Sequence, residues 1–328
     1  MKFVTLAADV YLVRPASGPP VQLPRSGVTV GGTTAVTVDA ESKDRWGREF
    51  AEAWQTANVY VEATSEDADD PSEAESRVAA VWHAMWLHGI LSVERVDGVY
   101  GEVADGARQI CGRIDDFAHP IRLRGVDGWP NLDADILASV DNVAAGIIAR
   151  NKRPDEFRRL WHGLRALLRG FRDSGDSDAI ERSANLVRSL EVLVFGATEK
   201  GAGATQFAER AACFTADGNA ALLQDAYKLL RNTGVHMHER HLYVKDTVKL
   251  PQILELGRFI DLLAPHVWRE VLGSPQRMET MSDANLSSFQ AHLIEEAAKK
   301  DPTARSFARW TGARFTLLPK GTMPDGAM

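Results

Sequence analysis

Apolar and polar positions follow one rhythm up to about residue 125 and another beyond it. From Phe3 to about Leu123 short branched runs dominate. A first strand begins at Phe3, a second run covers Val10 to Val13, and Val28-Thr-Val30 and Val36-Thr-Val38 flank Gly31-Gly32, a spacing that predicts a hairpin turning at the glycines. Asp44 to Ala57 repeats Trp46, Phe50 and Trp54 at intervals of four, as a helix with one buried side does, and the strand-like run Asn58 to Ala63 follows. Arg77 to Ser92 sets Val81, Trp82, Met85, Trp86 and Ile90 on one helical face. Val93 to Val103 reads as two strands folded at Asp97-Gly98, and Asp105 to Phe117 as a helix.

Gly125 to Pro130 reads as a link, and from Asn131 the period is helical almost throughout. Asp133 to Lys152, Pro154 to Phe171 and Asp176 to Phe195 each carry an apolar stripe at intervals of three and four. After the Gly-rich break Gly196 to Gly203, helices are predicted at Thr205 to Phe214, from Asp217 or Asn219 to Arg231, at Pro251 to Leu263, at His266 to Leu272 and at Asp283 to Lys300. The expected architecture is an α+β N-terminal domain, residues 1–125, followed by an all-α helical bundle, residues 131–320, mostly helical overall.

Composition narrows the function. The 328 residues suffice for two cores, and 45% hydrophobic with 25% charged residues is globular usage rather than that of a disordered or coiled-coil chain. A net charge of −7 excludes a coat-like hold on nucleic acid, which needs a broad cationic field. Six carboxylates, Glu66, Asp67, Asp69, Asp70, Glu73 and Glu75, crowd around Pro71 as a solvated loop without the Gly-pivoted spacing of a calcium loop. Cys111 and Cys213 have no CxxC spacing, which suggests neither a disulfide framework nor a thiolate zinc site and points to a reducing, cytoplasmic setting. The opening residues meet Asp9, Arg14 and Pro15 too early for a signal peptide, and no window of 18 apolar residues predicts a membrane span.

The densest polar cluster of the helical part is Arg231-Asn232-Thr233-Gly234-Val235-His236-Met237-His238-Glu239-Arg240-His241. On an ideal helix Arg231 and His238 fall within about 20° of one another and His236 about 140° away, but Gly234 interrupts that geometry, so either histidine can partner the arginine. A guanidinium beside an imidazole suits phosphodiester cleavage without a metal or other cofactor. The imidazole exchanges a proton near neutral pH, and the guanidinium stabilises charge growing on the phosphoryl oxygens. Asn232 can orient the imidazole or bind a phosphate oxygen. The rival reading uses His236, His238 and His241 as nitrogen ligands with Glu239 as base, a spacing that matches no strong zinc pattern. His83 and His88, five apart on their helix, are poorly spaced as ligands and read as satisfied or exposed side chains.

At these residues the chain resembles the HEPN domain family. Arg231-Asn232, then four residues to His236 counted from Arg231, resembles the family's signature of Arg, four to six residues and His, with a polar residue directly after the Arg as in its ribonuclease members. The resemblance extends to Ser189-Leu-Glu-Val-Leu-Val-Phe-Gly-Ala-Thr-Glu-Lys200, Gln206-Phe-Ala-Glu-Arg-Ala-Ala-Cys-Phe214 and Ala226-Tyr-Lys-Leu-Leu-Arg-Asn232, which are similar in order to the Apea-like branch and cover about residues 177–272. Tyr227 stands four residues before Arg231 where the branch has three, and Met237 stands where it usually has Gly. The resemblance implies a helical bundle that pairs with a second copy, two Arg/His sets forming one composite site at the homodimer seam, and RNA cleavage in antiviral defence or toxin systems. It makes Arg231, Asn232 and His236 the catalytic set, with His238, Arg240 and His241 auxiliary.

Arg158, Arg165, Arg169 and Arg172 advance by sevens, fours and threes along one helix and form a cationic stripe, either a solvated face or an RNA guide. Gly196 to Gly203 lacks the Gly-Lys-Ser/Thr ending of a phosphate loop, and no Gly-x-Ser-x-Gly occurs. The expected function is a metal-independent endoribonuclease of HEPN type. The alternative is an inactive HEPN-like dimer serving as scaffold or ligand-binding adaptor. Residues 1–125 are expected to be a sensor or regulator.

Overall fold

The structure, a computed structural model, describes residues 1–10, 19–32, 57, 59–65, 71–88, 93–104, 107–114, 134–170, 179–195, 203–214, 220–231 and 249–299. The helix expected at Asp44 to Ala57, the strand at Val36 to Val38 and the link at Gly125 to Pro130 fall almost wholly outside them. By internal contacts the chain forms two compact units: Met1–Ser177 with Trp268–Asn285, and Asp178–Val267 with Leu286–Met328.

The first unit is built on one antiparallel sheet of order β2-β3-β4-β1-β5-β6, where β1 is Lys2–Val10, β2 Val21–Leu23, β3 Val28–Gly32, β4 Val59–Ser65, β5 Val93–Ala104 and β6 Ala107–Ile114. Phe3, Val4, Thr5 and Leu6 of the central strand are all buried, so both faces are covered at this point, which accounts for a run of apolar residues rather than strict alternation. Phe3, Ala57, Tyr60 and Val99 cluster with Val103 and Ile110. Helix α1, Ser72–Leu87, packs on β4, β1 and β3, burying Val78, Val81, Trp82 and Met85.

Four expectations are corrected here. Gly31 and Gly32 lie inside β3, opposite Tyr60 and Val59, and not at a turn. The Tyr60 ring occupies the space beside Gly31, where a Cβ would fall 2.8 Å from it. The turn lies between β2 and β3, where Gly27 has φ 68° and its N–H donates to the Leu23 carbonyl at 2.9 Å. Val93 to Val103 is one strand running through Asp97-Gly98, and the region expected as a helix at Asp105 to Phe117 instead supplies strand β6. Ala104 pairs with Ala107, so β5 and β6 are consecutive antiparallel partners and the reversal falls after Ala104 rather than at Asp97-Gly98. Finally, α1 begins at Ser72 with Glu73 and Glu75 in its first turn, so the end of the acidic run is helical, with its carboxylates toward the positive helix terminus.

Helices α2, Ala134–Lys152, and α3, Arg158–Gly170, belong to this same unit, although their period groups them with the helices that follow. Asp141 provides one reason. It is buried in the apolar face of α2 and accepts the N–H of Arg25 at 2.9 Å, the N–H of Ser26 at 2.9 Å and the hydroxyl of Ser26 at 2.7 Å, fastening the β2–β3 turn to the helix.

His88 ends α1 and joins it to α2. Its Nδ1 lies 2.7 Å from the Ala84 carbonyl and its Nε2 2.8 Å from Ser139 Oγ. Burial, helped by the nearby Arg269 charge and opposed by the Ala84 bond, lowers its pKa to about 4. A histidine depressed below its unfolded value of 6.5 contributes stability above that value and loses it as pH falls through about 4. Urea unfolding is therefore expected to show on the order of 2 kcal/mol lost between pH 7 and pH 4 through this group, a component absent from His88→Gln.

Helix α7, Lys249–Leu272, is one helix where two were expected, with Pro265 inside it. Leu256, Phe259, Ile260, Leu263, Val267, Trp268 and Val271 are buried in one continuous helical phase across the proline. Several buried side chains at about 1.5–3 kcal/mol each outweigh the roughly 3 kcal/mol disfavour of an interior proline. The chain passes from the second unit into the first within this helix. The short α8, Pro275–Thr280, follows, with Ser274 Oγ accepting the Arg277 N–H at 3.3 Å as its N-cap.

The second unit comprises α4, Ala179–Val194; α5, Ala204–Ala211, ending in a 3-10 turn through Phe214; α6, Ala220–Ala226; the first part of α7; and α9, Leu286–Ala297. Leu186, Leu190 and Leu193 of α4, Phe207, Phe214, Leu223, Leu230 and Leu293 form its core. Thus a six-stranded antiparallel sheet precedes a largely helical remainder. No described helix is long and apolar enough to cross a membrane.

Candidate functional site

Arg231 ends a helical run that changes pitch just before it. Helix α6 passes directly into a single π turn, Tyr227–Arg231. A π turn closes its hydrogen bonds one residue later than an α turn, so it absorbs one extra residue. The four-residue spacing from Tyr227 to Arg231 is accommodated in this way, and the Arg231 guanidinium carbon lies 5.6 Å from the centre of the Tyr227 ring.

Two further side chains complete the set. Arg231 Nε donates to Glu191 Oε1 at 3.2 Å, across from α4. Tyr227, buried except at its edge, donates its hydroxyl to the same carboxylate, and burial together with that bond raises the phenol to a pKa of about 12. The Tyr227 ring packs on Phe207 with centroids 4.8 Å apart, and Phe207 on Phe195 at 6.1 Å. Arg210 stacks on Phe195 at 5.5 Å and donates to the Val194 carbonyl at 3.1 Å. An aromatic row from α5 and the end of α4 therefore backs the Glu191–Tyr227 pair, and that pair fixes one edge of the Arg231 guanidinium. A guanidinium has five N–H donors, and the Glu191 bond uses only Nε, which leaves the Nη groups suited to two oxygens of a phosphate. Arg231 is about one third exposed, at 35%, and thus within reach of a ligand.

Glu191 and Tyr227 stand within the stretches Ser189 to Lys200 and Ala226 to Asn232, where local spacing assigns neither a chemical role. The signal for Glu191 is a lone carboxylate among Leu190, Val192, Leu193 and Val194. Asn232, His236, His238, Arg240 and His241 lie outside the described residues, as do Glu239 and Arg172. Among the described residues no three His, Cys, Asp or Glu side chains converge as a metal site.

The cationic stripe lies on α3, in the first unit rather than the second. Arg158, Arg165 and Arg169 are all exposed. Arg158 pairs with Asp155 at 2.9 Å, and Arg165 stacks on Trp161 at 5.0 Å. Those contacts fit a solvated helix face. Cys111 is exposed and Cys213 buried, and neither forms a disulfide. No family model, curated protein or solved structure matches this chain, so the Arg231–Glu191–Tyr227 set stands on its own geometry.

Proposed function

We propose that this protein is a metal-independent endoribonuclease of HEPN type, acting as a homodimer in which two Arg/His sets form one composite site. The observation that supports this reading is the buttressed Arg231: a partly exposed guanidinium held at Nε by Glu191, which Tyr227 in turn holds, at the end of a π turn. Arginine held in this way is a preorganised receptor for a phosphodiester.

In the proposed reaction His236 accepts the proton of an RNA 2′-hydroxyl and the 2′-oxygen attacks the adjacent phosphorus. The P–O5′ bond breaks, the 5′-oxygen takes up a proton, and a 2′,3′-cyclic phosphate remains. Arg231 carries the charge that gathers on the nonbridging oxygens, and Asn232 orients the imidazole or a phosphate oxygen. His238, Arg240 and His241 supply further donors to the RNA backbone. Tyr227, raised to about pKa 12, stays protonated at working pH and keeps its bond to Glu191.

The test incubates purified protein with single-stranded RNA in excess EDTA. Cleavage is expected to persist, to fall about 100-fold or more in Arg231→Ala, and to vanish in the Arg231→Ala/His236→Ala double variant. Glu191→Gln, which keeps the shape but removes the charge holding Nε, is expected to slow cleavage about tenfold while unfolding in urea at nearly the wild-type midpoint. Loss of cleavage with EDTA points instead to His236, His238 and His241 as metal ligands. Absence of cleavage under every condition points to a noncatalytic scaffold or adaptor.

A further inference from the structure

A polar cavity of about 390 Å³ lies wholly within the first unit. Its volume falls in the range of small-molecule sites, but its walls are mostly polar. Ser139 and Asn142 face it from α2, Arg269 and Glu270 from the last turn of α7, Ser274 and Arg277 from the start of α8, and His88 from the end of α1. Ser139, Asn142 and Gly146 recur at intervals of three and four, so one face of α2 both lines the cavity and meets the end of α7.

The hydrogen bonds around the cavity settle which of these groups offer protons and which accept them. The Ala84 carbonyl can only accept, so His88 Nδ1 carries the proton that bonds to it at 2.7 Å. Nε2 is then the acceptor, and the Ser139 hydroxyl, 2.8 Å away, donates to it. The Ser139 oxygen therefore presents lone pairs, not a proton, to the cavity. Ser274 works in the opposite sense: its oxygen accepts the Arg277 N–H at 3.3 Å, which leaves its own proton to donate. Arg277 is paired with Glu270, and Arg269, whose charge burial disfavours and Glu270 favours, brings a second guanidinium to the wall. His88 is neutral at pH 7. The lining side chains thus include two guanidiniums and one carboxylate, several donors, and separate acceptors in Ser139 and Glu270.

A bare inorganic anion would use the donors and leave the acceptors idle, and a nucleobase would find no Phe, Tyr, Trp or aliphatic side chain on the walls, the one ring there being His88, which is held at both nitrogens. We propose that this cavity binds a small hydroxylated phosphate ester of the sugar-phosphate class, with Arg269, Arg277, Asn142 and Ser274 around the phosphate and Ser139 with Glu270 accepting from the sugar hydroxyls. The site makes no use of Arg231, and the proposal stands whether or not the chain cleaves RNA.

Calorimetric titration of the full chain with ribose 5-phosphate and glucose 6-phosphate tests it. At least one is expected to bind saturably, while ribose, and sodium sulfate at matched ionic strength, do not. Asn142→Asp places a carboxylate among the donors and is expected to weaken binding at least about tenfold, and Ser139→Ala, which removes an acceptor for a sugar hydroxyl, to weaken the sugar phosphate about fivefold. Should Asn142→Asp fail to fold, Arg277→Gln serves the same purpose at a partly exposed position. Absence of saturable binding by both esters, equal binding of sulfate, or wild-type affinity in the folded variants would overturn the assignment.

Discussion

Replacing Arg182 by alanine is expected to destabilise the second unit by about 3–5 kcal/mol, because it strands a buried carboxylate. Arg182 Nη2 on α4 donates to Asp261 Oδ2 on α7 at 2.6 Å. Asp261 is only 8% exposed, and burial raises its pKa to about 6 against the opposing pull of Arg182. Arg182 Nε and Asp261 Oδ1 have no hydrogen-bond partner among the described residues, so the pair is incompletely satisfied. Breaking it should therefore be costly, whereas replacing it should not be. The double variant Arg182→Met/Asp261→Leu is expected to recover the wild-type unfolding midpoint in urea or to exceed it.

The pH dependence of that loss identifies its cause. A carboxyl raised above its unfolded pKa of 3.8 favours the folded state at pH values below 3.8, and this contribution is lost as pH rises through about 6. In Arg182→Ala the carboxyl rises further, so the deficit should be largest at pH 7–8 and shrink by pH 5. A deficit that stays constant from pH 8 to pH 5 would show lost packing rather than a stranded charge.

Gly146→Ala is the second substitution with a large expected effect, on the first unit. A Cβ at this position of α2 would fall 2.1 Å from the Leu272 carbonyl oxygen and 2.9 Å from its carbon, at the end of α7. The obstacle is backbone, which cannot swing aside as a flexible side chain does. Alanine in a helix interior gains about 1 kcal/mol over glycine. Forcing α2 and α7 apart disturbs the packing of Val143, Trp268 and Val271 and exceeds that gain, for a net loss of about 3 kcal/mol or more. For a unit of this size the melting temperature should drop by about 10 °C. Gly203→Ala, where an added Cβ meets nothing within 4 Å, should change stability by less than about 1 kcal/mol and serves as the control. Equal effects at the two glycines would refute the backbone contact.

Helices α2, α3 and α4 were legible to within a few residues, because each has a long apolar stripe and the period alone sets the element type. The hairpin at β5–β6 was not. Asp97-Gly98 and Asp105-Gly106 are equivalent turn signals locally, and the choice between them rests on the pairing of β5 along the full length of β1, which no local window contains. The division of α7 at Pro265 failed because the local penalty is real but apolar residues on both sides of the proline are buried in the same helical phase.

The site divides along the same line. Arg231 was legible as a cation in a cluster of histidines, since chemistry-bearing residue types show in composition and spacing. Its buttress was not, because Glu191 stands 40 positions earlier and meets Arg231 only when α4 lies beside the π turn. The sugar-phosphate cavity left even less trace: His88, Ser139 and Arg269 come from three separate stretches of chain. Sequence by itself determined the order of sheet and helices, the total charge and the residue types available for phosphate chemistry, because those depend on local period and composition. Tertiary structure alone decided which carboxylate holds which guanidinium, which glycine cannot be replaced and where the polar cavity lies. These depend on contacts between residues far apart in the chain, which only packing brings within hydrogen-bond reach.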